Sequence, residues 1–149
     1  MRLWHIDLIP YLPKSQLLAQ WRELNSIFKK QDKHILINYI YDYDKLYLFH
    51  YVSKVVFEMK NRNFKINKYI NHYGYFDMNI DNYTEYRFTN AYKYKFREHN
   101  NEYLTICYYN LKEKYLRGQK DFTKEVWDRL DRFYKQHLKL LDKDKKDTI

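Results

Sequence analysis

Apolar residues recur along this chain at helical rather than alternating spacing, and they do so in four separate stretches. Leu17, Trp21, Leu24 and Phe28 fall at i, i+4, i+7 and i+11, a single stripe down one face of a helix. Pro13 suits the first position of that helix, so the spacing predicts a helix over about residues 13–29. Leu48, Val52, Val55 and Met59 form a second stripe, widened by Phe49 and Val56, with Asp44 as its N-cap and "NRN" (61–63) as its end. A third helix starts at Asn100 or Asn101, carries Leu104, Cys107, Leu111 and Tyr115, and stops at Gly118. The fourth begins after Asp121 and carries Trp127, Leu130, Tyr134, Leu138 and Leu141.

Elsewhere the period is lost. Residues 1–12, "MRLWHIDLIPYL", read as an extended lead-in packed across the body, and "KKQDKH" (29–34) reads as a basic break. From Phe64 to about Phe96 the chain is tyrosine and asparagine around a lone Gly74, which predicts ordered loop with short extended pieces. "DKDKKDTI" (142–149) reads as a charged, frayed tail. The predicted fold is mainly α: a compact single-domain bundle over residues 1–141, of about four helices. The N-terminal segment lies across it, and a long irregular Tyr-rich connection interrupts it.

Composition narrows the function. The chain has 149 residues and nowhere 18 apolar ones in a row, so no membrane span is expected. A single cysteine, Cys107, fits a reducing cytoplasm and a packing role. The formal charge of +9 favours a polyanionic partner, nucleic acid before membrane. Most of the basic residues are lysine, in a chain also rich in asparagine, isoleucine and tyrosine. AT-rich coding alone would give that mixture, so an interaction domain with incidental charge stays open. Two glycines leave no phosphate-cradling loop, and His5 and Asp7 lack the partners of any metal-ligand spacing. No metal and no cofactor are expected. His5 and Asp7 suit a structural hydrogen bond near the N-terminus, and Trp4 and Trp21 suit the core.

The first helix raises a sharper question. Opposite its apolar stripe lie the small residues Ser15, Ala19 and Ser26, with Arg22 and Glu23 on the two shoulders. Any surface helix carries charges for solubility. A glutamate among basic residues also suits proton management on a polyanionic substrate.

The stretches "MRLWHIDLIPYLPKSQLLAQWREL" (1–24), Lys33–His34 and "YDKLYLFHYVSKVVFEMKNRNFKI" (43–66) resemble the endonuclease V-like family of pyrimidine-dimer DNA glycosylases, above all its short bacterial members. "EYLTICYYNLKEK" (102–114) is a fainter echo of the family's last helix, and residues 117–149 show little likeness. The resemblance implies a helical fold with the N-terminus across the bundle. It also implies a glycosylase that releases a damaged pyrimidine and then nicks the strand as an AP lyase. The chain's own α-amine would be the nucleophile, assisted by Glu23 with Arg22 gripping the backbone. An α-amine has a pKa of about 7.7–8.0 against ~10.4 for lysine, so it is partly free base at neutral pH.

On this basis Met1 and Glu23 are the expected catalytic residues, and Arg2, Arg22, Lys33 and His34 the expected DNA contacts. The expected partner is damaged double-stranded DNA, met by a cytoplasmic, nucleoid-associated monomer. The alternative is a non-catalytic nucleic-acid-binding relative. Three positions depart from the pattern of the family's founding member, a phage enzyme: arginine follows Met1 where that enzyme has a small residue, Gln16 replaces a histidine, and Ser26 replaces a basic residue. Because methionine aminopeptidases generally spare a methionine before a large residue, Met1 should be retained, one residue or about 3.5 Å further out. The intact mass of the purified protein should therefore include an unblocked Met1.

Overall fold

In the computed structural model, residues 2–67, 69–76 and 93–147 are described. Among them run five α-helices: α1 (Lys14–Lys29), α2 (Lys45–Asn61), α3 (Tyr69–Phe76), α4 (Asn101–Leu116) and α5 (Lys124–Asp147). Two 3-10 segments, Ile6–Tyr11 and Asn38–Asp42, complete the regular structure, and no strand occurs among the described residues. The fold is mainly α, as the periodicity predicts.

The sequence signals act as anticipated at most helix ends. Pro13 precedes α1 in extended conformation, and its carbonyl accepts from the N–H groups of Gln16 and Leu17. The Asp44 side chain accepts from Leu46 N–H at 2.9 Å, and Asn100 accepts from Tyr103 N–H at 2.9 Å. At the end of α4, Gly118 adopts φ 81°, and Gln119 N–H reaches back to the Lys114 carbonyl at 3.2 Å. That left-handed turn favours glycine. The predicted stripes of α1, α2 and α4 are buried at Leu17, Trp21 and Leu24, at Leu48 through Met59, and at Leu104, Cys107 and Leu111. On α5, Trp127, Leu130 and Tyr134 are buried, but Leu138 is exposed.

Two expectations need correction. The lead-in is not extended. Ile6–Tyr11 coils into a 3-10 helix because the His5 ring accepts from Asp7 N–H at 3.1 Å, and Arg62 holds its far end through the Pro10 and Leu12 carbonyls. Its apolar residues Ile6, Leu8 and Ile9 are buried, and it packs on α2 and α5. The connection after residue 64 is not all irregular, for α3 forms within it and packs on α1. Aromatic residues are poor helix formers by themselves, but His72 and Phe76, one turn apart, both pack on Phe28, at 5.9 and 5.4 Å. Packing overrides propensity here. Residues 68 and 77–92 of that connection lie outside the described residues. Helix α5 runs on through residues 142–147. No glycine or proline follows Gly118 to stop it, and extending an existing helix is easy.

His5, His72 and His99 are among the imidazoles buried in this core. His99 Nδ1 accepts from Ile6 N–H at 3.0 Å, so its proton sits on Nε2 and faces Tyr39 Oη at 2.7 Å. Burial pushes His99 well below the ordinary histidine range and lowers His5 to about 4 despite nearby Asp7. Burial alone lowers His72 to about 4, and neither of its ring nitrogens has a hydrogen-bond partner.

These histidines fold neutral, while the unfolded chain binds protons near pH 6.5, so the stability they allow is present above that pH and lost as pH falls toward 4. For His72 alone the loss reaches up to about 3 kcal/mol. His72→Leu should flatten the fall in urea midpoint between pH 6.5 and 4 and leave stability at pH 7 unchanged or raised.

Candidate active site

The first residues of the chain are held by side chains from three helices. The Gln20 amide of α1 accepts from Trp4 N–H at 2.8 Å and from Tyr51 Oη of α2 at 2.9 Å. Its Nε2 donates to the Arg2 carbonyl and to Glu23 Oε2, each at 3.2 Å. Tyr51 shares that single hydroxyl proton with the Trp4 carbonyl at 2.7 Å, and Tyr103 of α4 donates to the Leu3 carbonyl at 2.5 Å. Four main-chain polar groups of residues 2–4 are thereby satisfied, which fixes this segment along α1.

Glu23 stands beside this segment, half-buried, in a cleft of about 260 Å³. Arg2, Trp4, Ala19, Gln20, Leu36 and Lys114 are among its lining residues, with Gln16 and Asn110. Burial raises the Glu23 carboxyl above the usual range, only partly offset by the Arg2 backbone N–H, the Arg22 charge and the Gln20 amide. The Arg2 guanidinium lies over the Tyr103 ring, 5.8 Å from its centroid. One carboxyl and two cations, Arg2 and Lys114, thus face one concavity. That set can bind an anionic substrate and move a proton within it.

The structure separates some residues that the sequence grouped. Arg22 is exposed and lines a different cleft, of about 280 Å³, with Leu18, Trp21, Asn25 and Lys65. Lys33 and His34 are exposed in the loop after α1, and neither lines the Glu23 cleft, although Leu36 of the same loop does. Met1 lies outside the described residues. The stripe of small residues is only partly open. Ser15 donates from N–H and Oγ to Asp121, at 2.5 and 2.9 Å, and Gln16 donates to Gln119 at 3.0 Å. Ala19 is left facing the cleft, and Ser26 bonds back to the Arg22 carbonyl at 3.2 Å.

Sequence reading missed Gln20, Asn110 and Lys114. Gln20 had a signal: it lies three residues after Leu17 and four before Leu24, a polar residue inside an apolar stripe. Asn110 and Lys114 sit one turn apart on α4, a spacing shared by countless surface pairs. Among the described residues no three His, Cys, Asp or Glu side chains cluster as metal ligands, and no helix is long and apolar enough to cross a membrane.

Residues 1–71 match the family model described as pyrimidine dimer DNA glycosylase, so the resemblance of the opening residues is borne out over that stretch. No curated protein and no solved structure matches the chain. The matched part contains Arg2, Gln16, Ala19, Gln20, Glu23 and Leu36 of the cleft, while Asn110 and Lys114 lie beyond it.

Replacing Gln20 by Leu would leave the Trp4 N–H and the Arg2 carbonyl without their partner. Each buried group so orphaned costs about 1–3 kcal/mol. Q20L should lower the unfolding free energy in urea by about 3 kcal/mol.

Proposed function

We propose that this chain is a DNA repair glycosylase with associated AP-lyase activity, working on damaged pyrimidines through an imine formed on the Met1 α-amine. The family match supports the glycosylase class. The observation that carries the mechanism is the Gln20 amide, which joins the Arg2 carbonyl to Glu23 Oε2 inside a cationic cleft. Residues 2–4, which follow that amine in sequence, are tied to the helix that carries Glu23.

The steps balance without a cofactor. The neutral α-amine adds to C1′ of the deoxyribose as the C1′–base bond breaks, and the base leaves with the bonding pair and accepts a proton. A carboxyl raised by burial is suited to supply that proton. The sugar ring then opens to a protonated imine, whose charge the Glu23 carboxylate stabilises. Glu23 takes a proton from C2′, the 3′ phosphate departs, and the strand is cut. Water finally hydrolyses the imine and returns the amine. C1′ is shielded in a stacked duplex, so the nucleotide must be extruded first. Arg2 and Lys114 bind phosphate at the cleft, while Arg22, Lys33 and His34 contact the duplex beyond it. The net charge of +9 supports such a footprint.

Borohydride should trap a covalent adduct between abasic duplex DNA and Met1, and acetylation of the N-terminus should abolish it. Glu23→Gln should slow nicking by roughly 100-fold while retaining DNA binding. Salt-sensitive binding with no adduct, untouched by acetylation, would instead mark a relative that binds nucleic acid without catalysis.

A further inference from the structure

The turn after α1 carries two apolar side chains where solvent argues against them. The His34 carbonyl accepts from Ile37 N–H at 2.9 Å, so Ile35 and Leu36 occupy the two central positions of a tight turn. Such positions favour Pro, Gly, Asn, Asp or Ser. Here Ile35 is 80% exposed and Leu36 42%. A lone exposed apolar residue is ordinary, but this pair sits on a turn that is held in shape. Leu36 N–H donates to His34 Nδ1 at 3.2 Å, His34 N–H to Asp32 at 3.0 Å, and Tyr41 Oη to the Asp32 carbonyl at 2.7 Å. The next residue, Ile37, is fully buried and roots the turn in the core. Leu36 lines the Glu23 cleft, and Lys30 and Lys33, from the same loop region, line a separate groove.

We propose that Ile35, backed by Leu36, is a wedge that enters the base stack of duplex DNA beside the nucleotide whose C1′ meets Glu23. The proposal rests on the glycosylase reading of the cleft. Extruding a nucleotide costs a few kcal/mol of stacking and pairing. An apolar side chain pushed between base steps holds the gap open, as other proteins that kink DNA do with Ile, Leu or Phe. The geometry meets the needs of that task. The tip is apolar and rigidly presented, lysines beside it match the phosphates, and its second residue already borders the cleft that would receive the sugar. The loop's basic residues, Lys33 and His34, thereby gain a place along the backbone flanking the inserted tip.

The test compares Ile35→Ser with the wild type and with Ile35→Leu, which keeps the bulk. Borohydride adduct formation is timed on abasic duplex and on the same abasic strand alone, and 2-aminopurine beside the abasic site reports unstacking. Ile35→Ser should lower the duplex-to-single-strand rate ratio by about 10-fold and lose the fluorescence rise on binding, with thermal unfolding unchanged. Ile35→Leu should restore both. An unaltered ratio and an unaltered fluorescence rise in Ile35→Ser would overturn the wedge while leaving the glycosylase reading intact. A wild type that forms no adduct on either substrate would end that reading, and the wedge with it.

Discussion

A single buried amide ties the start of this chain to its framework. Gln20 is 1% exposed, and its oxygen accepts two hydrogen bonds while its nitrogen donates two. That uses the full capacity of the side chain. A hydrocarbon of similar size would pack in the same space, yet it would strand main-chain groups of residues 2–4 away from water. A fully satisfied polar network of this kind specifies one arrangement rather than merely adding stability. The consequence for chemistry is positional. Glu23 lies one turn further along the same helix and receives one of the four bonds, so the device that anchors the N-terminal segment also orients the acid beside it.

The helices were legible in the sequence because their stripes are long and their caps are local. Asp44 and Asn100 act within three residues of themselves, and so does the left-handed Gly118 turn. The 3-10 lead-in and α3 were not legible, since both are stabilised from far away. Arg62 holds the first from fifty residues downstream, and Phe28 receives the second from more than forty residues upstream. The site divides the same way. Glu23 could be picked out from one helix, whereas Lys114 and Asn110 reach the cleft only through tertiary folding. Arg22 and Glu23 do lie on opposite shoulders of α1, as helical geometry requires. Opposite shoulders turned out to mean separate clefts.

Residues beyond the family match are part of the framework around this site. Gln119 and Asp121 fasten Ser15 and Gln16 at the start of α1, and Tyr11 stacks on Phe133 of α5 at 4.7 Å. Burial would raise the Asp121 carboxyl, yet hydrogen bonds from Gln119 and Ser15 hold it below the usual range, so it stays charged. This closes one end of the stripe of small residues. What stays open is the stretch near Ala19, bordered by Leu36 on one side and Lys114 on the other.

That narrowing bears on how Glu23 can act at all. A carboxyl on an open helix face would titrate like any exposed acid, fully charged at neutral pH and idle as a proton donor. Here burial moves it toward the protonated form, while the Gln20 amide and the Arg2 backbone keep the charged form accessible. The lining mixes apolar Trp4, Ala19 and Leu36 with polar Gln16, Gln20 and Asn110. A strand entering that cleft would expel water and strengthen every charge interaction within. The same exclusion would raise the carboxyl further until a cationic intermediate formed beside it and reversed the shift. Under the proposed mechanism, an acid that gives up a proton early and steadies a cation afterwards needs that order of events, and a half-buried carboxyl beside residues 2–4 is suited to it.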